Sequence, residues 1–250
     1  MYFNIIASGS KGNATLVVEK DTIILIDMGV TLTRLEAGLS EIGKKVSDIT
    51  GAIITHDHSD HTAGIKFLPK NKIYALEGTI TGTGSHIIKI NEPFLVGDIT
   101  ITPIKISHDA INPCGFVLEF GNEKLSYITD TGYVLNETLP ILKNPSYLII
   151  ESNHDIKMLL KTNRPMELKQ RILSDHGHLC NEDSAIATCG IIGPNTKEVV
   201  LAHISEEANT PEMALEAYRK ILNYFNIDSD SFVLKVACQW KSLLGGNYEN

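Results

Sequence analysis

The chain has 250 residues, 43% of them hydrophobic and 21% charged, with a formal net charge of −8. Such a composition builds an ordinary globular core without disulfide support, and the acidic balance excludes a protein held on nucleic acid by bulk positive charge. The four cysteines (Cys114, Cys180, Cys189, Cys238) form no C-x-x-C pair and read as reduced packing thiols of a cytoplasmic protein, while no apolar run reaches the ~18 residues of a bilayer span, so no membrane partner is expected.

In chain order, "YFNIIAS" and "ATLVVEK" read as strands flanking the turn "GSKGN", and "TIILIDMG" as a third strand. Leu32, Leu35, Leu39 and Ile42 recur at helical spacing, leaving Arg34, Glu41 and Lys45 for the wet face. "GAII" is a short apolar strand that runs straight into "THDHSDH", and a brief helix is expected from near Asp60 to before Pro69. "DITITPIKISHD" alternates with period two, and Pro103 places it at an edge or on a bulge. "GFVLEF" and "KLSYITD" form a hairpin through Gly121 and Asn122, followed by the strand "SYLIIES". "DIKMLLK", "MELKQRILS" and "NEDSAIATCGII" read as helices and "KEVVLAHIS" as a strand. Thr210 caps a helix with Pro211 at its first position, whose apolar face comprises Leu215, Tyr218, Ile221, Leu222 and Phe225. "SFVLKVA" is the closing strand. There is no linker, repeat or low-complexity stretch, so one domain over residues 1–250 is expected. Strands followed by helices, twice over, suit an α/β (α+β) four-layer fold of two sheets packed face to face with helices outside.

The chemistry concentrates where strands end. His56 and His58 lie two apart in an extended segment, so their imidazoles point the same way and could grip one cation. Asp60 and His61 follow where the chain turns into a helix; they face elsewhere and could grip a second. Further ligands must come from a distance. His108 follows "ITPIKIS", Asp130 follows "KLSYIT" and His203 follows "EVVLA", each at the end of an apolar strand.

The series H-x-H-x-D-H, then a single His, a single Asp and a final His, resembles the metallo-β-lactamase superfamily, as do the opening "IASGSKGNATLVV" and the "LIDMG" strand end. The resemblance extends over nearly the whole chain and implies an αββα sandwich with the metals at one edge. It implies that His56, His58 and His108 bind one divalent metal and Asp60, His61 and His203 a second, with Asp130 bridging them. Asp27 would orient the ligand loop from behind.

Within the superfamily, "YLIIESNHD" and "SDHGHLCNEDSA" place Glu151 and His178 where phosphodiesterase members carry a Glu–His pair that protonates the leaving oxygen. A carboxylate beside an imidazole favours its protonated form, as an acid catalyst requires. "SGSKGNAT", "ESNHD", "RILSDHGHLCNEDSA" and "LAHISEEAN" together are similar to the YycJ/WalJ group of small bacterial nucleases, and imply an exonuclease acting on DNA. The group's pattern departs near Asn209, which leaves the role of that loop open. The resemblance implies a hydroxide activated by two metals (Mn²⁺ or Zn²⁺, with Fe also compatible), Asp60 accepting the water's proton, and His178, oriented by Glu151, protonating the departing sugar oxygen. The alternatives are an RNA-processing nuclease and a small-molecule thioester or lactone hydrolase similar to glyoxalase II. Against lactam hydrolysis stand Asp130, where many such enzymes carry Cys, and the Glu151–His178 pair, which has no duty in opening a lactam. The short stretch from Asp130 to His178 leaves no room for a clamping domain, so short loops must hold the substrate. The Gly9–Asn13 loop with Lys11 is a candidate phosphate contact or an ordinary hairpin turn, and His154 and His176 are either polar loop residues or substrate contacts.

Overall fold

The computed structural model describes residues 1–248. Strands β1 (Tyr2–Ala7), β2 (Ala14–Glu19), β3 (Thr22–Ile26), β4 (Gly51–Ile54), β5 (Ile73–Leu76) and β6 (His86–Ile88) build one sheet. Strands β7 (Phe94–Val96), β8 (Ile99–Lys105), β9 (Cys114–Phe120), β10 (Glu123–Ile128), β11 (Tyr147–Glu151), β12 (Glu198–Ala202) and β13 (Val233–Val236) build the other. The last strand, β14 (Leu243–Gly246), crosses back and pairs antiparallel with β1, closing the first sheet's free edge.

Strand periodicity explains the layering. Along β2 and β3 both faces are apolar: Val17, Ile24 and Ile26 point between the sheets, while Leu16, Val18, Ile23 and Leu25 point outward. The inner residues meet Ile101, Phe116, Leu118, Tyr127 and Ile149 of the second sheet. Helix α1 (Leu32–Ser40) covers the first sheet's outer face with Leu35 and Leu39. The long α6 (Asn181–Ile191) and α7 (Pro211–Tyr224) cover the second with Ala185, Ile191, Ala214, Tyr218 and Leu222. Four shorter helices, α2 (Ser59–Thr62), α3 (Leu139–Leu142), α4 (Ile156–Lys161) and α5 (Met166–Ile172), sit in connections. The result is the αββα sandwich. No helix among the described residues is long and apolar enough to cross a membrane.

Local differences from the sequence reading have physical causes. β7 pairs only with Ile99–Ile101 of β8, so Pro103 lies where β7 no longer needs its missing N–H. Thr210 caps α7 as expected, but Phe225 is past the helix and half exposed. Arg34 does not face bulk water: it donates to the Ile6 and Gln239 carbonyls and lies 5.2 Å from the Trp240 ring centroid.

Strand direction fixes where the chemistry lies. β3 and β4 are parallel, and so are β10, β11 and β12. β8 runs antiparallel to β9, which is antiparallel to β10, so β8 shares β10's direction. The residues that follow these six strands meet at one edge of the sandwich, the edge at which α/β sheets commonly place ligands.

Candidate metal centre

Asp27 ends β3, and its backbone is left-handed, with φ of 61°. Asp130 after β10 (φ 55°) and His203 after β12 (φ 54°) repeat this conformation. Non-glycine residues seldom adopt it and hold it only where surroundings enforce it. The fully buried Asp27 carboxylate accepts from the Thr55 backbone N–H at 2.8 Å and from the Thr55 hydroxyl, and binds His61 Nδ1 at 2.8 Å. Thr55 Oγ1 also lies 3.0 Å from His56 Nδ1. One carboxylate thus fixes two imidazoles of the H-x-H-x-D-H segment by their Nδ1 atoms and turns their Nε2 atoms inward.

Gly29 shows how tightly this segment is held. A Cβ there would lie 1.5 Å from the Asp60 carbonyl oxygen, so only glycine admits the approach. The Gly9–Asn13 loop braces the same turn: the Asn13 N–H donates to the Asp60 carbonyl at 2.8 Å, and Asn13 Nδ2 lies 3.0 Å from His61 Nε2. Lys11 instead pairs with Glu206 at 2.7 Å.

From the second sheet, His108 Nδ1 donates to the Gly177 carbonyl at 3.2 Å. Glu151, fully buried at the end of β11, accepts the backbone N–H groups of Thr131 and Leu179 through Oε2. Its Oε1 lies 2.8 Å from His178 Nδ1 and 2.8 Å from His203 Nδ1.

These side chains converge. Ligand atoms of His56, His58 and His108 fall within 4.8 Å of one another, as do those of Asp60, His61 and His203. Asp130 groups with His56 and His61, and also with Glu151, His178 and His203. His56 Nε2, His203 Nε2 and Asp130 Oδ2 are buried without a hydrogen-bond partner. Buried polar atoms are ordinarily partnered, and three orphans aimed into one cavity walled by imidazoles and carboxylates fit divalent cations.

The electrostatics agree. Burial, then the imidazoles of His61, His108, His58 and His203, push His56 well below the ordinary histidine range, and burial lowers His108. Burial opposes charge on His203, but Asp130 and Glu151 outweigh it and lift the group to about 9. His61 is likewise raised against its burial, by Asp27 and Asp130. Burial would raise Asp60, yet the hydrogen bond and charge of His61 hold it at about 2. The Asp60, Asp130 and Glu151 side of the cage is an anionic pole that draws positive charge.

Sequence reading did not single out Thr55 or Asn153, and it left the roles of the loops at Asn13 and Asn209 open. Asn153 Nδ2 donates to the His203 carbonyl at 2.9 Å. Asn209 is buried, bonded to the Ser152 carbonyl and to Asn181, and braces the Glu151 strand end away from the cavity. His176 is exposed, with Nδ1 3.1 Å from Ser107 Oγ. His154 is buried with both ring nitrogens unpartnered, and burial lowers it to about 4.

Residues 22–204 match the model of the β-lactamase superfamily domain. The chain belongs to the metallo-β-lactamase superfamily. It is 34% identical to exodeoxyribonuclease YycJ of Bacillus anthracis over 235 residues, 89% of either chain. It is 35% identical over 227 residues to exodeoxyribonuclease WalJ of Streptococcus pneumoniae, covering 85% of this chain and 84% of that one. Its fold matches the metallo-β-lactamase fold protein YhfI from Bacillus subtilis with a TM-score of 0.72 at 18% identity, over 98% and 99% of the two chains. As a member of this superfamily with YycJ/WalJ relatives, the chain is a metal-dependent hydrolase.

Proposed function

We propose that this hydrolase is a phosphodiesterase that shortens DNA from an end, with two divalent cations in the cage. His56, His58 and His108 would hold one; Asp60, His61 and His203 would hold the other; Asp130 would reach both. When bound, such cations supply Lewis acidity toward water and toward a phosphate oxygen. Imidazole-rich ligation suits zinc and the carboxylates also suit manganese or iron.

The observation that carries the reading is the double hold of Glu151 on His178 and His203. A leaving sugar oxygen departs as a poor leaving group unless protonated. His178 has Nδ1 committed to a buried carboxylate, and its side chain keeps 17% of its surface at the rim of the cage. That arrangement leaves Nε2 free, and it would serve as the proton donor to the departing oxygen. Asp60, whose side chain is 24% exposed, would take the proton of the attacking water. The likeness to proteins named exodeoxyribonucleases supports DNA as the polymer. A thioester or lactone needs little acid help, so the Glu151–His178 pair favours the phosphodiester reading over the small-ester one.

The test is hydrolysis of 5′- and 3′-labelled single- and double-stranded DNA and RNA by purified protein with Mn²⁺ or Zn²⁺. DNA shortening that is abolished in His58→Ala is expected. Absence of phosphodiester turnover with every metal would overturn the reading, and faster turnover of RNA would replace DNA with RNA.

A further inference from the structure

Beside the cage, on the flank formed by the first sheet, lies a groove of about 460 Å³, within the ~300–1,000 Å³ range of small-molecule sites. Asp57, the residue between His56 and His58, and Thr62, the residue after His61, line it. One oxygen of that carboxylate accepts the Ile111 N–H at 2.9 Å, which ties Ile111 across the groove. The floor is apolar, with Ile65, Ile80 and the half-exposed Ile111. The rim is cationic and rich in hydroxyls. Lys66 and Lys70 are exposed and line it, and no ion pair among the described residues engages either one. Thr79, only 5% exposed, also lines it, and its Oγ1 is buried without a partner. A buried hydroxyl left without a partner points to a ligand that supplies one. Lys70 lies along the glycine loop opposite, its Nζ 3.2 Å from where a Cβ of Gly82 would stand.

We propose that this groove is the subsite for the nucleotide next to the bond being cut. A base would rest on the isoleucine floor, and its phosphates would meet Lys66, Lys70 and the Thr79 hydroxyl. The proposal rests on the nuclease reading above and names where the strand is held. The chain's net charge is −8, so a hold on a polyanion must come from local positive charge, and Lys66 and Lys70 supply two such charges at the groove. An apolar floor reads no base edge, so binding there is tolerant of sequence, as trimming a strand requires.

The test is fluorescence anisotropy of a labelled single-stranded oligonucleotide in EDTA, across a series of salt concentrations, with no turnover. Lys66→Ala combined with Lys70→Ala is expected to weaken binding about tenfold or more, and to reduce the slope of log K against log salt by about 1.4, or about 0.7 for each phosphate that is no longer neutralised. Turnover of bis(4-nitrophenyl) phosphate by the metal-loaded enzyme is expected to keep its kcat. Thr79→Val is expected to weaken oligonucleotide binding without changing the salt slope. A control pair outside the groove's lining, Lys44→Ala with Lys143→Ala, is expected to leave the slope as it was. If the groove variant retained wild-type affinity and slope, or if the control pair lowered them equally, the subsite would be refuted while DNA cleavage stood. If wild-type protein neither bound nor cut DNA, the nuclease reading itself would fail.

Discussion

Glu151 Oε1 lies 2.8 Å from His178 Nδ1, and the same oxygen lies 2.8 Å from His203 Nδ1. One carboxylate therefore orients a rim imidazole and a cage imidazole together. His178→Ala is expected to lower kcat on DNA by about 10²–10⁴-fold. The loss should shrink sharply on bis(4-nitrophenyl) phosphate, whose leaving group needs no proton. Equal losses on both substrates would show that His178 is not the acid. Glu151→Gln should, in addition, reduce metal content, because it loosens His203.

Asp27 has no contact with substrate in this account. It sets Thr55 and, through His61 Nδ1 and the Thr55 hydroxyl, the ring orientations of His61 and His56. Asp27→Asn should lower metal affinity about 10–100-fold, measured by competition with a chromophoric chelator. Wild-type affinity in that variant would remove Asp27 from the account.

Removing metal should destabilise the fold, because the anionic pole of the cage would lose its compensating cations. At a free-metal concentration of 100 times Kd, bound metal adds about 2.7 kcal/mol to stability. For a chain of this size that is a rise in Tm on the order of 5–10 °C relative to EDTA-treated protein. An unchanged Tm would count against binding in the cage.

Acid stability should depend on Glu123, far from the cage. It gathers the Lys197 ammonium, the amino terminus, the Tyr147 hydroxyl and Asn247. Burial works against its ionisation, but these partners hold its pKa down at about 2 against an ordinary 4.5. The stability it contributes is therefore fully present above about pH 4.5 and is lost as the pH falls through about 2. Glu123→Gln should cost no more than about 1 kcal/mol at neutral pH, the usual ceiling for an ion pair that water still reaches. It should also flatten the decline of urea-unfolding free energy below pH 4.5. An unaltered acid limb would contradict this.

Much of the site was legible because the candidate ligands follow the ends of apolar strands, and a break in a period-two pattern is visible without coordinates. The H-x-H-x-D-H segment, His108, Asp130 and His203 came from that signal together with the family resemblance, and the structure brings all of them to one cavity. What lay hidden was the layer behind them. Thr55 and Asn13 are single polar residues in turns, and nothing local marks one as the brace of a carboxylate and the other as the brace of a helix start. β14 was missed for a different reason: "LLGG" has no amphipathic period, and its strand conformation comes from pairing with β1. The three- and four-residue strands β5, β6 and β7 were likewise below the length at which periodicity says anything. Arg34 has helical spacing that points to solvent, but the Ile6 and Gln239 carbonyls, remote in sequence, claim its guanidinium.

The most direct measurement is anomalous diffraction from crystals grown with Mn²⁺ or Zn²⁺. Two peaks are expected, one bounded by His56, His58 and His108 and one by Asp60, His61 and His203, with Asp130 reaching both. A map without anomalous density in the cage, or with His108 and His203 turned away from it, would contradict the account.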